Sequence, residues 1–325
     1  MRATPVGDPT GVAAASRAAA DPTAAADPTG VAAASRAAGR KPAWLRVKVP
    51  AAAPFRVTAG LLDELSLHTV CDSARCPNRG ECFAAGTATF LILGDVCTRA
   101  CGFCAIGRSP ALPAAVDAGE PRRVAAAARR LGLSHVVVTS VTRDDLADAG
   151  AAHYAATVRA VREALPTARI EVLVPDFGGA PDALTAVLAA RPDVLNHNLE
   201  TVPRLYGEVR PGAGYGRSLE LLGAAARRKG GAGPALVKTG FMLGLGETAG
   251  EVAAALADCV AAGVDVVTVG QYLRPGDGCL PVARYVPPDE FAALVSLGER
   301  LGVRVVAGPL VRSSYRAAET FAARA

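Results

Sequence analysis

From residue 88 onward, short apolar runs alternate with longer segments of helical pattern, and this alternation restricts the chain to few folds. Strands are expected at 89–93 (TFLIL), 135–140, 169–175, 194–199, 236–243 and 264–270, with a further one at 303–307. Helices are expected between them, at 121–132, 151–165, 180–190, 217–229, 247–262 and 287–301. The last opens on Pro287 and Pro288 followed by Asp289 and Glu290, where a fixed φ and negative charge both suit a helix N-terminus. Six β/α units joined by right-handed crossovers predict an α/β fold, a partial (β/α)6 open parallel barrel. Sites in such barrels lie at the C-terminal ends of the strands. Five strand ends are polar: TSVTRDD (139–145), PDFGG (175–179), NHNLET (196–201), GLGET (244–248) and GQYLRPG (270–276). Any one of these reads as a cap or turn. Five on one rim read as a site. Taken singly, His197 reads as a satisfied structural histidine, and Asp144 and Asp145 beside Arg143 read as an ion pair or helix cap.

The stretch from Cys71 to Cys104 holds six of the eight cysteines, in two groups of three. Cys71, Cys76 and Cys82 are spaced C-x4-C-x5-C, and Cys97, Cys101 and Cys104 are spaced C-x3-C-x2-C. Thiolates this close together suit soft metals and iron–sulfur clusters. Disulfide-dense folds are mostly small secreted domains, which this is not. Structural zinc takes four ligands, usually in C-x2-C pairs, so three and three is the wrong arithmetic for closed zinc sites. It suits two cubane clusters, each with one iron not held by cysteine. The second triplet follows the first barrel strand and has Phe103 just before its last cysteine. It resembles the motif of radical S-adenosylmethionine enzymes, and that resemblance implies that S-adenosylmethionine binds the open iron. Cys259 reads as a small buried hydrophobe, and Cys279 as a stray loop thiol.

The rest of the chain divides around this core. Residues 1–39 repeat DPTGVAAASRAA at 8–19 and 27–38, an Ala-rich tract expected to be disordered. Its composition is similar to an organellar transit peptide, but the duplication and three aspartates disfavour that reading. Residues 40–87 form an extension that carries the first triplet; in it Trp44 is expected to be buried by an arm lying across the body. Leu61 to Leu67 is expected to form a short helix. Residues 88–285 form the barrel, and 286–325 a C-terminal helix, strand and tail closing on the barrel mouth. The net charge of +5 is spread over arginines of expected helices, so a solvated surface is expected and no nucleic-acid groove. No run of about 18 apolar, uncharged residues occurs, so no membrane span is expected. The cysteine usage points to a reducing compartment, and a cytoplasmic location is expected.

The tail carries RSSY, Arg312 to Tyr315, after GPLV. Alone, Ser313 or Ser314 would read as a helix N-cap for RAAETFAAR. With KPAWLRVKVP, C-x4-C-P-N-x2-E-C, GTATFLILGDVCTRACGFC, TSVTRDDLADAGA, NHNLETVPRLY, VTVGQYLRP and GPLVRSSY in one chain, the sequence resembles the lipoyl synthase family from about residue 40 to its end. The first triplet paired with RSSY is the specific part of the likeness.

The resemblance implies two 4Fe–4S clusters and S-adenosylmethionine as cofactors. Cys97, Cys101 and Cys104 would hold the cluster that cleaves S-adenosylmethionine. Cys71, Cys76 and Cys82 would hold an auxiliary cluster capped by a serine, with Ser314 the choice and Ser313 the alternative. The implied reaction inserts two sulfurs at C6 and C8 of an octanoyl group on a carrier protein. Arg143, Arg312, Asn198, Glu200 and Phe103 are candidates for catalytic, cofactor or substrate contacts. The implied partners are octanoylated lipoyl domains of 2-oxoacid dehydrogenases, the glycine-cleavage H protein, and a reductant such as ferredoxin or flavodoxin, with the enzyme a monomer. Rival readings are another radical sulfur-inserting enzyme, which needs no RSSY, and a non-catalytic iron–sulfur electron carrier.

Overall fold

The computed structural model describes residues 1, 40–47, 52–108, 113–231 and 233–322. The repeat tract expected to be disordered, apart from Met1, lies outside the described residues. Among the described residues ten strands run β1 (His68–Thr69), β2 (Thr89–Ile92), β3 (Val96–Cys97), β4 (Gly107–Arg108), β5 (His135–Ser140), β6 (Arg169–Leu173), β7 (Val194–Asn196), β8 (Leu236–Leu243), β9 (Val266–Gln271) and β10 (Arg304–Gly308). Eight of them form one sheet in the order β1-β2-β5-β6-β7-β8-β9-β10, while β3 and β4 pair separately. All neighbours in the large sheet are parallel except β1, which runs antiparallel to β2. β1 and β10 end the sheet without pairing, so the barrel is open on that side.

Parallel strands covered on both faces read as continuous apolar runs, which is why β2 and β9 are buried at every position. Helices Glu120–Arg130, Ala151–Ala164, Pro181–Ala189, Tyr215–Ala226, Ala249–Ala261 and Pro288–Leu301 fill the crossovers. Their ends carry local signals: Thr248 and Glu251 form a reciprocal capping box, and Gly302 closes the last crossover helix at φ 76°. Inside the barrel, alternate strand residues face a lumen. Its deepest layer is polar: buried Glu171 accepts hydrogen bonds from Lys238 Nζ at 3.0 Å and Asn196 Nδ2 at 3.0 Å, with His135 Nε2 at 3.3 Å.

Two expectations in the flanking segments need correction. Trp44 is 43% exposed, and its neighbour Leu45 is the buried residue. Both sit in a one-turn 3-10 helix, Ala43–Leu45, where successive side chains point about 120° apart, so only one of the two can face inward. The helix expected at 61–67 runs instead from Ala52 to Glu64 and stops before Ser66, which has φ 49°. The terminal helix is Ala317–Ala322, which leaves Ser313 and Ser314 outside the cap position that they would suggest if read alone.

Candidate active site

One cavity of about 660 Å³ opens at the barrel mouth and runs down the lumen. All six cysteines of the two triplets line it, together with Phe103, Asn198, Glu200, Arg312, Ser313 and Ser314.

The second triplet is held by backbone hydrogen bonds on both flanks. Gly102 N donates to Val209 O at 2.9 Å, and Leu280 N donates to Gly102 O at 2.8 Å. A Cβ at Gly102 would stand 2.8 Å from the Leu280 side chain, so the loop packs there because residue 102 has none. The first triplet sits on two short helices, Val70–Ser73 and Arg79–Ala84. The first is capped by Thr69, whose hydroxyl accepts from Asp72 N. Between the helices Arg75 takes a left-handed φ of 51°, which turns the chain before Cys76.

After β10 the tail packs against β8 and β9 where they line the cavity. A Cβ at Gly270 of β9 would lie 2.0 Å from Val311 O, and one at Gly240 of β8 would lie 2.9 Å from Ser313 Oγ. Strand glycines mark close approach of another segment, and here that segment is the tail. Asn78 Nδ2 donates to Leu310 O at 2.7 Å, and Tyr315 Oη donates to Glu81 at 2.8 Å, so the first triplet's loop and the tail clasp each other. Ser313 Oγ donates to Asn198 Oδ1 at 2.7 Å, while Ser314 Oγ accepts from Thr89 Oγ1 at 2.9 Å.

The comparisons with known proteins agree with this geometry. The radical SAM superfamily model matches residues 91–259, more than half of the chain. A lipoyl synthase of Trichlorobacter lovleyi is 57% identical over 281 residues, covering 86% of this chain and 98% of that one. One of Rubrobacter xylanophilus is 52% identical over 282 residues, covering 86% of each. The chain belongs to the lipoyl synthase family. Among solved structures, Streptococcus suis SuiB bound to precursor peptide SuiA superposes with a TM-score of 0.51 at 14% identity, covering 82% of this chain and 63% of that one, a likeness of fold alone.

As a member of the lipoyl synthase family, the chain is a radical S-adenosylmethionine sulfurtransferase whose cofactors are S-adenosylmethionine and 4Fe–4S clusters. The residues present fit those groups. No disulfide joins any of the eight cysteines. Burial pushes the thiols of Cys71 and Cys104 up to about 12 and that of Cys82 to about 11, so thiolates here need a cation to hold them. After burial, the neighbouring sulfurs contribute. Cys71 feels Cys76 and Cys82, whereas Cys104 feels Cys101 and Cys97, which sorts the six into two separate groups. Among the described residues no three His, Cys, Asp or Glu side chains close on a point suited to one metal ion.

The remaining candidates separate. Glu200 is held at φ 66° in the left-handed region, which costs energy for a residue with a Cβ and turns the chain at the strand end. Burial raises its pKa, and Asn198 Nδ2 donates to its Oε1 at 2.9 Å. Arg312 faces the cavity; burial lowers its pKa against the pull of Cys76 and Glu200. Arg143 is different: its guanidinium is spent on Asp145, with Nε at 2.9 Å and Nη2 at 2.8 Å, and it does not line the cavity. The expected contact to cofactor or substrate is therefore corrected to an ion pair that braces the end of β5. His197 is satisfied, as expected of a structural histidine: Nδ1 donates to Val174 O at 2.8 Å, and Nε2 accepts from Ser218 Oγ at 2.9 Å. Sequence reasoning missed Arg210, a buried cavity-lining cation that donates to Asn198 O at 2.7 Å and acts electrostatically on Cys101. It also missed Gly240 and Gly270, which a glycine inside a strand pattern could have flagged.

Proposed function

We propose that this protein inserts two sulfur atoms at C6 and C8 of an octanoyl chain carried on a lipoyl domain, with Cys97, Cys101 and Cys104 holding one cluster and Cys71, Cys76, Cys82 and Ser314 the other. When bound, the first of these clusters supplies the electron that cleaves S-adenosylmethionine, and the auxiliary one supplies the sulfur. The observation that carries the assignment is that both triplets and the RSSY tail line a single cavity.

The division of labour follows the chain. The extension at 40–87 brings the sulfur-donor ligands, the barrel at 88–285 brings the radical chemistry, and the segment at 286–325 brings the serine. A hydroxyl oxygen is a harder ligand than a thiolate, so Ser314 is a replaceable donor, fitting for a cluster that gives up its sulfur. Between the triplets, Leu91, Val137, Leu173 and Phe241 give the cavity apolar walls, which suit an alkyl chain and keep water from a radical. Phe103, Asn198, Glu200 and Arg312 stand where they would orient cofactor and substrate. The acceptor is an octanoylated lipoyl domain of a 2-oxoacid dehydrogenase or the glycine-cleavage H protein, the electron donor a ferredoxin or flavodoxin, and the enzyme a cytoplasmic monomer. No helix among the described residues is long and apolar enough to cross a membrane.

Anaerobic mass spectrometry of an octanoylated carrier domain tests this reading, after incubation with reconstituted protein, S-adenosylmethionine and a strong reductant. The expected result is a gain of two sulfurs that stops near one lipoyl group per protein. Cleavage of S-adenosylmethionine with no sulfur gained would overturn the substrate assignment.

A further inference from the structure

Arg99, between the first two cysteines of the second triplet, makes contacts that none of the chemistry above requires. Its Nε and Nη2 donate to Asp144 Oδ2 and Oδ1, each at 2.8 Å, and the same Nη2 lies 2.7 Å from Asp176 Oδ1. One guanidinium thus forks across two carboxylates, one following β5 and one following β6. The side chain of Asp176 is fully buried and that of Arg99 is 8% exposed. Asp176 is itself fixed: Gly178 N donates to its Oδ1 at 3.1 Å, and Arg217 Nε lies 3.0 Å from its Oδ2, close enough for an ion pair without hydrogen-bond alignment. Two guanidiniums and two carboxylates balance, so the arrangement carries no net charge, and its inner pair, Arg99 with Asp176, can stay buried while Asp144 and Arg217 reach solvent.

Around this fork the backbone is zipped. Thr98 N and Oγ1 each donate to Thr142 O at 3.0 Å, and Asp144 N donates to Thr98 Oγ1 at 3.1 Å. The zipper ends on sulfur. Arg99 N and Thr142 N, one from each side, each lie 3.4 Å from Cys97 Sγ and donate to it. Hydrogen bonds to ligand sulfur stabilise the reduced, more negative state of a cluster and raise its potential. Groups that orient a ligand commonly change affinity or rate on the order of 10–100-fold.

We infer that Arg99 is a positioning residue for the radical cluster: its fork onto Asp144 and Asp176 keeps two main-chain N–H groups on the Cys97 sulfur and so sets the reduction potential at which that cluster accepts its electron. Lysine keeps the charge but cannot fork, which makes Arg99→Lys the informative variant.

The inference rests on Cys97 being a ligand of that cluster, and the two ideas fail separately. Retained S-adenosylmethionine cleavage in Cys97→Ala would remove the ligand assignment. The clamp itself is tested by redox titration with electron paramagnetic resonance, on reconstituted full-length protein with both clusters loaded. For Arg99→Lys at full iron content the expected result is a lower potential and altered g-values for the radical cluster, with the auxiliary cluster unmoved. With an electron donor of fixed potential, reductive cleavage of S-adenosylmethionine should slow by roughly ten-fold, because a smaller fraction of the cluster is reduced. A merely structural arginine would change stability or iron uptake and leave the potential of the loaded cluster where it was, and that outcome overturns the clamp. Should Arg99→Lys fail to take up iron, Asp144→Asn on the exposed side of the fork decides. A smaller shift in the same direction supports the clamp, and an unmoved potential overturns it.

Discussion

Ser313 Oγ donates to Asn198 Oδ1 at 2.7 Å, joining the tail to the rim beyond β7 across a separation of 115 residues. That bond commits Ser313 to the barrel rim. Its neighbour Ser314 lies against Thr89, whose backbone is near enough to the Cys71 thiol to lower its pKa, on the side of the first triplet. Ser314→Ala is therefore expected to abolish sulfur insertion while S-adenosylmethionine cleavage continues. Ser313→Ala should keep iron in both triplets and lose activity by no more than roughly ten-fold, the low end for an orienting partner. Iron and sulfide analysis with product mass spectrometry checks both, and equal losses in the two variants would remove the distinction.

Gly270 gives a second prediction. The Cβ of alanine there would lie 2.0 Å from the backbone oxygen of Val311, an atom that cannot move without moving the tail. Gly270→Ala should push the tail out and cost about 1–3 kcal/mol, the usual range for overpacking. Limited proteolysis should then cut near RSSY at protease levels that leave the native chain whole, and sulfur insertion should be lost. An uncut tail with normal turnover would contradict the docking described here.

Arg143 tests the corrected role. Its guanidinium is buried and bidentate on Asp145, so Arg143→Ala removes a charge-assisted pair worth about 1.5–3 kcal/mol. The expected change is a lower unfolding midpoint in urea, with KM for S-adenosylmethionine unchanged in the protein that remains folded. A raised KM at unchanged stability would restore it as a contact residue.

Acid stability should fall in two steps. For His197, burial comes first and the Arg210 charge second; together they lower its pKa from 6.5 to about 4. A depressed folded value means stability is fully present above pH 6.5 and is lost as pH falls toward 4. For Glu171, burial alone would raise the pKa, but Lys238 and His135 outweigh it and hold the carboxyl at about 2 instead of 4.5, so its share is lost between those values. At about 1.4 kcal/mol per unit, each step is on the order of 3 kcal/mol. Urea unfolding of His197→Gln from pH 7 to 4 should show a flattened upper step, and an unchanged slope would rule His197 out as its source.

How much could be read beforehand depended on range. Strands β5 and β8 fall where their apolar runs place them, because parallel strands buried on both faces need uninterrupted hydrophobic sequence. The two cysteine triplets stood out because their spacing is local, and the structure brings all six to one cavity. Trp44 was not, because whether it or Leu45 turns inward depends on a 3-10 turn and on what lies beneath it. Arg143 and Asp145 were recognisable as a possible pair, but nothing local says whether the pair faces the lumen. The partner of Arg99 at Asp176 and that of Asn78 at Leu310 arise only once the barrel has formed.

The clasp between Asn78 and Leu310 spans 232 residues of chain, so its two halves leave the ribosome far apart in time. The loop bearing Cys71, Cys76 and Cys82 must wait, unclasped, until residue 310 has been made. The neighbours of the second triplet, Val209 and Leu280, arrive sooner. Vectorial synthesis thus imposes an order of assembly, in which the backbone partners of the second triplet are made before the segment that clasps the first.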